Sequence, residues 1–428
     1  MTALLAPLRG NTPLGTNTLA PLVGLFLAGF LAFGIGVYAF TQFLGPVQAE
    51  FGWSRATLGG LMSAFWAAAP SVLLAAYAVD RIGIRWVIGT GVVIEAIGIV
   101  CIAGVSEPKQ FLAVRLAMGI GKCLMVTPIP IATARWFRVR TGLAYGLVLS
   151  GWHVGGLVLA PLASTWIAAV GWRAASLRLA ALMLCGGLLT LLLIRPPAPV
   201  SAGLAVARVR DAYARPWVLA LIGTITVVYY AGYATFLSQL SVILRDVGLT
   251  PRVVGSLTGS VALCASLGTV AAGVVTQRIR PFATVGALLV AAGVLEWGTC
   301  TLHAGASVAT VLLILLPFGL VIGGGDPVLI EALRCCTPLA RYNRCYGWWY
   351  LACLAGLAVA PVAAGAVFDH FGSYDRIFIG LASGTACLGG LWLATTRSTD
   401  PESVQDEDRP IAPEVEPRFG TAAQKGGR

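Results

Sequence analysis

Hydrophobic runs of about twenty residues follow one another along almost the whole chain, with short polar segments between them. Each run is close to the ~20 residues that an α-helix needs to cross a bilayer. The runs are continuously apolar and lack the alternation that marks barrel strands. The pattern therefore predicts an all-α polytopic membrane protein. Twelve membrane-spanning helices are predicted near residues 20–44, 56–78, 86–105, 110–133, 141–166, 174–194, 217–243, 251–275, 282–302, 306–333, 345–368 and 374–396.

The composition supports a protein embedded in a lipid bilayer. Of the 428 residues, 57% are hydrophobic and only 11% are charged, whereas a soluble domain carries about 25% charged residues. The net charge of +11 does not indicate a nucleic-acid partner, because the arginines stand between the hydrophobic runs and form no basic stripe. The first run lacks a cleavage site of small residues and is longer than the apolar core of a signal peptide, so it predicts an uncleaved first helix.

The basic residues predict the orientation of the chain. If the N-terminus lies in the cytoplasm, 20 of the 29 lysines and arginines fall in cytoplasmic segments, as the positive-inside rule requires. Both termini are therefore predicted to be cytoplasmic. The predicted domains are a cytoplasmic N-terminal segment (1–19), a six-helix bundle (20–194), a cytoplasmic linker (195–216), a second six-helix bundle (217–396) and a disordered cytoplasmic tail (397–428).

Two short turns repeat at one offset between the predicted halves. Arg55 and Arg252 lie 197 residues apart, and Asp80 and Gln277 are separated by the same 197 residues. Parallel repeats of this kind enclose a substrate site at their interface, near the middle of the membrane. The repeat predicts two pseudo-symmetric bundles with a site between them.

Five motifs resemble those of the major facilitator superfamily. AYAVDRIGIR (76–85) is similar to the superfamily signature G-x-x-x-D-R-x-G-x-R/K, with Ala76 in place of the first glycine, and RLAMGIG (115–121) resembles its R-x-x-x-G-x-G motif. RWFRVRTGLAYGLVLSG (135–151) resembles the fifth-helix motif of monocarboxylate and oxalate/formate-type transporters. FGWSRA (51–56) and GAVFDHFGSYDRIF (365–378) are similar to the bacterial branch of that family.

The resemblance implies two six-helix bundles that rock around a central cavity and carry small carboxylates, with proton coupling or by exchange. It also implies a monomer in a bacterial inner membrane. Anion-exchanging members carry an arginine in the eighth span and in some cases a lysine in the eleventh, and this chain has neither there. No phosphate-binding loop is present, and the spacing of the ten cysteines matches no metal motif. We therefore expect no cofactor, no metal and no enzymatic activity.

Lys122 is the leading candidate for the missing positive charge. It lies near the centre of the fourth span, where a lysine costs about 2.5–3.5 kcal/mol on insertion scales. Its predicted partner is Asp326 in the tenth span, which by the family fold also lines the cavity. Asp326 would take a proton or pair with Lys122 until a carboxylate substrate competes for the lysine. The alternative is a permanent ion pair that holds the halves together.

Further polar and aromatic residues near the midplane are predicted to bind substrate. His153 in the fifth span suits proton handling, although a histidine bonded between helices is the more common case. Tyr38, Tyr229 and Tyr233 offer phenols that bond a carboxylate and pack against an apolar tail, with packing alone as the alternative. Aromatic residues at 348–350 begin the eleventh span, which indicates an aromatic belt at the membrane interface.

The resemblance implies coupling and gating roles for the charged residues of the motifs. Arg115 matches the position tied to coupling, and Asp80, Arg81 and Arg85 match the inner gate, where the aspartate meets an arginine or a helix N-terminus. Anchoring and orientation are the alternative roles. Outside the motifs, Glu331 and Arg334 have the spacing of a local ion pair. Glu95 and Glu296 lie in the peripheral third and ninth spans and receive no specific role.

The function predicted from these features is secondary active transport of a small organic anion, a monocarboxylate, by alternating access. Two alternatives stay open. One is a drug or metabolite exporter of the same fold, in which Asp326 would serve a cationic drug. The other is a non-transporting sensor built on a transporter scaffold, with a partner at the linker or tail.

Overall fold

The computed structural model describes residues 19–53, 55–137, 141–194, 216–249, 251–279, 281–302, 306–337, 339–371 and 374–397. Within these ranges the chain is helical, with no β-strand. The predicted N-terminal segment, most of the linker and nearly all of the tail lie outside the described residues. The five-part division of the chain therefore stays a prediction.

The described residues form eleven helices that are long and apolar enough to cross a membrane, one long segment being counted twice, and a twelfth long helix, Leu339–Phe371. Ten segments are long and apolar enough to cross a membrane, and one of them, Thr141–Leu193, has 53 residues, about 80 Å at 1.5 Å per residue. It is divided at Gly171, whose φ of 79° and ψ of 160° are not helical, so it crosses twice. The helices are α1 Leu19–Phe51, α2 Arg55–Ala67 with Ser71–Ile82, α3 Ile84–Ile102, α4 Pro108–Trp136, α5 141–170, α6 172–193, α7 Pro216–Asp246, α8 Pro251–Arg278, α9 Pro281–Thr299, α10 Val308–Cys336, α11 Leu339–Phe371 and α12 Asp375–Arg397.

Apolar side chains cover the outside of the bundle. Trp86, Leu188 and Leu313 are 72%, 59% and 73% exposed, which suits contact with lipid chains rather than water. The predicted fold class, an all-α polytopic membrane protein, is confirmed.

Both halves use the same close packing between their second and fourth helices. A Cβ added at Gly119 of α4 would strike the carbonyl oxygen of Phe65 on α2, and one added at Gly319 of α10 would lie 2.8 Å from the carbonyl oxygen of Val261 on α8. Glycine is required at each position because only a hydrogen leaves room for the neighbouring backbone. The duplication inferred from two turns thus extends to the helix packing.

The halves meet at one side of the bundle, which we call the basic side. It contains the helix ends at Ile82, Trp136, Arg278 and Cys336. Gly142 and Gly146 of α5 pack directly on Gly273 of α8, and a Cβ added at Gly347 of α11 would lie 3.0 Å from the Cβ of Ala76 on α2. The repeat relates the α5–α8 crossing to the α11–α2 crossing, and together they close the structure at the basic side.

Two tyrosines of the repeat meet at this closure. The buried hydroxyls of Tyr145 on α5 and Tyr342 on α11 lie 3.0 Å apart, and the two residues are 197 positions apart in the chain, the offset of the repeated turns. Tyr145 also donates to the carbonyl oxygen of Pro130 at 3.3 Å. The pair therefore lies where the pseudo-two-fold axis passes between the halves.

Candidate functional site

Lys122 is fully enclosed in the centre of α4. Its side chain has 0% exposure, and its ammonium makes no hydrogen bond to any described residue. Aromatic faces surround it instead: Nζ lies 4.5 Å from the ring centre of Trp66, 5.5 Å from that of Phe65, 5.6 Å from that of Tyr350 and 5.9 Å from that of Phe33. A close cation–π contact such as the one with Trp66 stabilises a cation by about 0.5–2 kcal/mol, but none of these ring contacts uses the hydrogen-bond donors of the ammonium.

Other buried donors without partners lie around Lys122. We call the set the donor cluster; its atoms are Lys122 Nζ, Trp152 Nε1, Tyr346 OH, Trp349 Nε1 and Tyr350 OH, none of which is bonded within the described part of the chain. Every nitrogen in it is a donor only, and the two phenols can donate. An unsatisfied buried donor costs about 1–3 kcal/mol. An acceptor ligand that enters this region would remove that cost.

Ring contacts join the cluster into one patch. Trp152 stacks on Phe33 at 4.6 Å, and Phe33 contacts Lys122. Tyr350 contacts Lys122 from the other half, with Tyr346 5.9 Å and Trp349 6.5 Å from it. The site therefore combines one cation with aromatic surfaces from both halves.

The interface-belt interpretation of the eleventh span was wrong for two of its three residues. Trp349 and Tyr350 are each 4% exposed, whereas Trp348 is 64% exposed. The first two turn inward because successive residues lie about 100° apart around a helix. Packing of α11 against its neighbours decides which of them face lipid, so the composition of the stretch could not separate them.

Asp326 does not pair with Lys122 in this structure. Its carboxylate accepts a hydrogen bond from the hydroxyl of Tyr230 on α7, and no ion pair joins it to a cation among the described residues. The ring of Tyr230 lies 6.4 Å from that of Trp349, which connects Asp326 to the aromatic patch. The sequence analysis did not select Tyr230, because Tyr229 and Tyr233 have the i, i+4 spacing of one helix face and Tyr230 lies on another.

The backbone carbonyl that Pro327 leaves without a helical partner is bonded by another helix. A proline has no N–H for the carbonyl four residues earlier, which is that of Gly323. The hydroxyl of Thr269 donates to this carbonyl oxygen at 2.8 Å. The freed group thus holds α8 to α10 and does not face a solvated cavity.

The other predicted substrate residues occupy different surroundings. Tyr229 is engaged by α10, because its hydroxyl lies 2.9 Å from the carbonyl oxygen of Val321 and 3.1 Å from that of Ile322. Tyr233 packs edge-on against Tyr230 at 6.2 Å. The ring of Tyr38 lies against Gly156, with Asp326 as its charged neighbour. Tyr38 and Tyr233 adjoin the Asp326 side of the site, and Tyr229 is bound to backbone.

His153 is buried in α5, with 7% exposure. No contact described for it joins it to Lys122 or Asp326. Its assignment as a substrate-binding residue stays a prediction.

Arg115 anchors α4 within the first half. Its guanidinium donates to the carbonyl oxygens of Leu61 at 3.3 Å and Gly36 at 3.1 Å, and it lies 3.5 Å from the ring centre of Phe40 and 4.3 Å from that of Phe65. Gly36 belongs to a π-helical turn of α1, Gly34–Ala39. Such a turn interrupts the regular i→i−4 bonding and presents a carbonyl to the guanidinium.

We expect Arg115→Leu to destabilise the first half strongly. The change removes two hydrogen bonds that a charged group donates, each of which contributes about 1.5–3 kcal/mol. Since 1 kcal/mol corresponds to about 2–4 °C, the thermal midpoint in detergent should fall by about 10 °C. Arg115→Lys should recover only part of this, since an ammonium lacks the planar fork. The matched control is Arg173→Leu, which removes a partly exposed pair with Glu50 (2.6 Å) and should cost about 1 kcal/mol or less. Equal losses for Arg115→Leu and Arg173→Leu would contradict the anchoring role.

The predicted gate residues lie at the basic-side closure. Asp80 accepts from Arg135 at 3.0 Å and from the side-chain amide of Asn343 on α11, so it links α2 both to its own half and to the other half. Arg81 lies over the ring of Tyr77 at 5.1 Å, and Arg85 is exposed. The contact of Asp80 with an arginine and with the opposite half is as the motif implies, and the gating role itself stays a prediction. The local ion pair of Glu331 and Arg334 is confirmed at 2.6 Å.

Comparison with known proteins assigns the family. The profile of the Major Facilitator Superfamily matches residues 24–226 and again residues 222–422, which together cover most of the chain. The chain belongs to the Major Facilitator Superfamily.

Individual relatives agree with this assignment. Monocarboxylate transporter 13 of Rattus norvegicus is 26% identical over 389 residues, covering 86% of each chain. Monocarboxylate transporter 11 of Homo sapiens is 36% identical over 132 residues, 29% of this chain and 28% of that protein. The crystal structure of the human organic anion transporter MFSD10 superposes with a TM-score of 0.69 at 15% identity, over 89% of this chain and all of that chain.

Membership of the superfamily confirms several of the sequence-based predictions. The protein is a multi-pass membrane transporter with two six-helix bundles, and it is not an enzyme. The resemblance to monocarboxylate transporters is confirmed by the rat and human relatives.

Proposed function

We propose that this protein is a secondary active transporter that moves a small organic anion, a monocarboxylate, by alternating access. The observation that carries the proposal is Lys122, a fully enclosed cation without a hydrogen bond or an ion pair among the described residues. A carboxylate is the ligand that would neutralise this charge and accept hydrogen bonds from it. The relatives named as monocarboxylate transporters support this substrate class.

The surroundings of Lys122 favour an anion with an apolar body. Trp66, Phe33 and Phe65 surround the ammonium from the first half, and Tyr350 from the second. The remaining donors of the cluster provide hydrogen bonds beside these apolar surfaces. A short-chain or aromatic monocarboxylate combines the two properties that the site offers.

The closure at the basic side supports alternating access. Helix pairs α2–α11 and α5–α8 hold the halves together there, and the donor cluster draws residues from α4, α5 and α11. Separation of the halves at the basic side would expose the site in that direction. By the positive-inside rule we assign this side to the cytoplasm, which makes both termini cytoplasmic.

The proposal is tested by uptake into proteoliposomes that contain the purified protein. The panel is acetate, L-lactate, pyruvate and benzoate, with tetraphenylphosphonium as a lipophilic cation and empty liposomes as the control. We expect uptake of at least one carboxylate and none of the cation. Transport of the cation alone would instead support the exporter alternative. A folded protein that carries none of the five solutes inward or outward would support the sensor.

A further inference from the structure

Glu95 is a second buried charge site, next to Lys122 but on a different helix. It lies in α3 with 0% exposure, and neither carboxyl oxygen has a hydrogen-bond partner among the described residues. Its Oε1 is so close to Gly36 of α1 that any side chain at position 36 would overlap it. The carboxyl group therefore fills a notch that a glycine leaves open.

The second half repeats this arrangement. Glu296 of α9 is 1% exposed, its Oε2 is unbonded within the described residues, and it fills the notch at Gly232 of α7. Glu95 and Glu296 thus occupy equivalent places on the third helix of each half, against a glycine of the first helix.

The charges around the two glutamates are not repeated. Glu95 packs against α4 beside Lys122, since a Cβ added at Gly121 would lie 3.2 Å from the Cβ of Glu95. Arg115 and Lys122 of α4 are its charged neighbours. The neighbouring groups on α1 and α2 are uncharged, namely Gly36 and Phe65. In the second half, α10 carries its one basic residue, Arg334, at its end, bound to Glu331. Only the first glutamate is placed to respond to a change of charge at Lys122.

We propose that Glu95 is the proton-binding residue of the transporter and that its protonation is linked to anion binding at Lys122. An anion at Lys122 repels the Glu95 carboxylate and so favours its protonation. By reciprocity, a proton on Glu95 leaves the positive charge of Lys122 free for the anion. Proton and anion then bind together and cross together, and the net charge of the site is the same with both bound as with neither. This inference rests on the proposed function, because it needs the anion at Lys122.

The Glu95 carboxylate forms no direct ion pair with the neighbouring cations among the described residues, and this suits a proton-binding role. No salt bridge joins Glu95 to Arg115 or Lys122 within the described residues, and Arg115 donates to backbone carbonyls instead. A close pair would hold the carboxylate ionised and would resist protonation. At a longer separation, the charge of Lys122 and of a bound anion changes the protonation of Glu95 without holding it in one state.

The test compares Glu95→Gln with Glu296→Gln in proteoliposomes. The probe is the monocarboxylate of the panel above that the wild-type protein takes up fastest, and proton entry is recorded with a trapped pH dye. For wild type and Glu296→Gln we expect proton entry with the anion and an apparent affinity that rises about tenfold on acidification, within the usual range of coupling. Glu95→Gln should lose both effects and keep anion exchange.

A second measurement does not depend on transport and is used if the Glu95→Gln variant transports poorly. Infrared difference spectra of the purified protein report the carboxyl C=O band on addition of the same anion, and this band should appear in wild type and Glu296→Gln and be absent in Glu95→Gln. Proton entry or the band persisting in Glu95→Gln overturns the Glu95 assignment while leaving the transport proposal intact. A wild-type protein that takes up no carboxylate contradicts the transport proposal itself.

Discussion

Lys122→Met is expected to weaken carboxylate binding strongly and, at the same time, to leave the ligand-free protein at least as stable as the wild type. A charged donor to a carboxylate contributes about 1.5–3 kcal/mol, so the affinity should fall by about 10- to 150-fold. The buried lysine itself costs about 2.5–3.5 kcal/mol. Its contact with Trp66 at 4.5 Å returns only about 0.5–2 kcal/mol, and methionine fills a similar volume without the charge.

The two effects are measured on the same preparations. Binding is followed as the upward shift of the thermal midpoint on addition of carboxylates, and stability as the midpoint without ligand. Lys109→Met is the matched control, because Lys109 is an exposed lysine in the first turn of the same helix, and it should change neither quantity. A large fall in the ligand-free midpoint of Lys122→Met, or carboxylate shifts equal to those of wild type, would show that Lys122 is structural.

Ala76→Cys combined with Gly347→Cys is expected to stop transport when oxidised. A Cβ at position 347 would lie 3.0 Å from the Cβ at position 76, and a disulfide has a Cβ–Cβ distance of about 3.8 Å, so a small outward shift suffices. The bond would join α2 of one half to α11 of the other at the basic side. If that side must open in each transport cycle, the cross-linked protein cannot release or accept substrate there.

The pair is made in a background without the 10 native cysteines. Cross-linking is quantified by a gel-mobility shift after protease cleavage between the halves, and uptake is measured before oxidation, after oxidation and after reduction. The single-cysteine variants serve as controls and should keep their uptake under oxidant. Undiminished uptake with complete cross-linking would mean that the α2–α11 crossing stays closed throughout the cycle.

The site could be predicted from the sequence only where a residue is unusual along the chain. Lys122 stands out because a charge within an apolar run is costly wherever the helix faces, and it is the centre of the observed cluster. Its predicted partner, Asp326, was chosen for its charge alone. In the structure Asp326 accepts a hydrogen bond from Tyr230 instead. Trp349 and Tyr350 drew no functional prediction, since aromatic residues at a helix end are common at membrane interfaces.

Glu95 and Glu296 show the same limit. Both were placed on the correct helices, but their spans were judged peripheral, and nothing in the order of residues relates Glu95 to Gly36 or Glu296 to Gly232. These contacts depend on how α3 and α9 are rotated about their axes and how closely small residues let them approach their neighbours.

The membrane-protein class, the helical spans, the repeated turns and the superfamily motifs could be predicted from the residues, because the length of an apolar run and the order of residues within a turn are properties of the chain. Which side chains meet depends on the tertiary structure. Hydrophobicity does not orient helices in lipid, where every apolar face is equally well solvated, so the rotation of each helix follows from close packing and from the few polar contacts between helices. For this protein those contacts place the unpaired Lys122 among aromatic rings of both halves, with Glu95 beside it and Asp326 bound elsewhere.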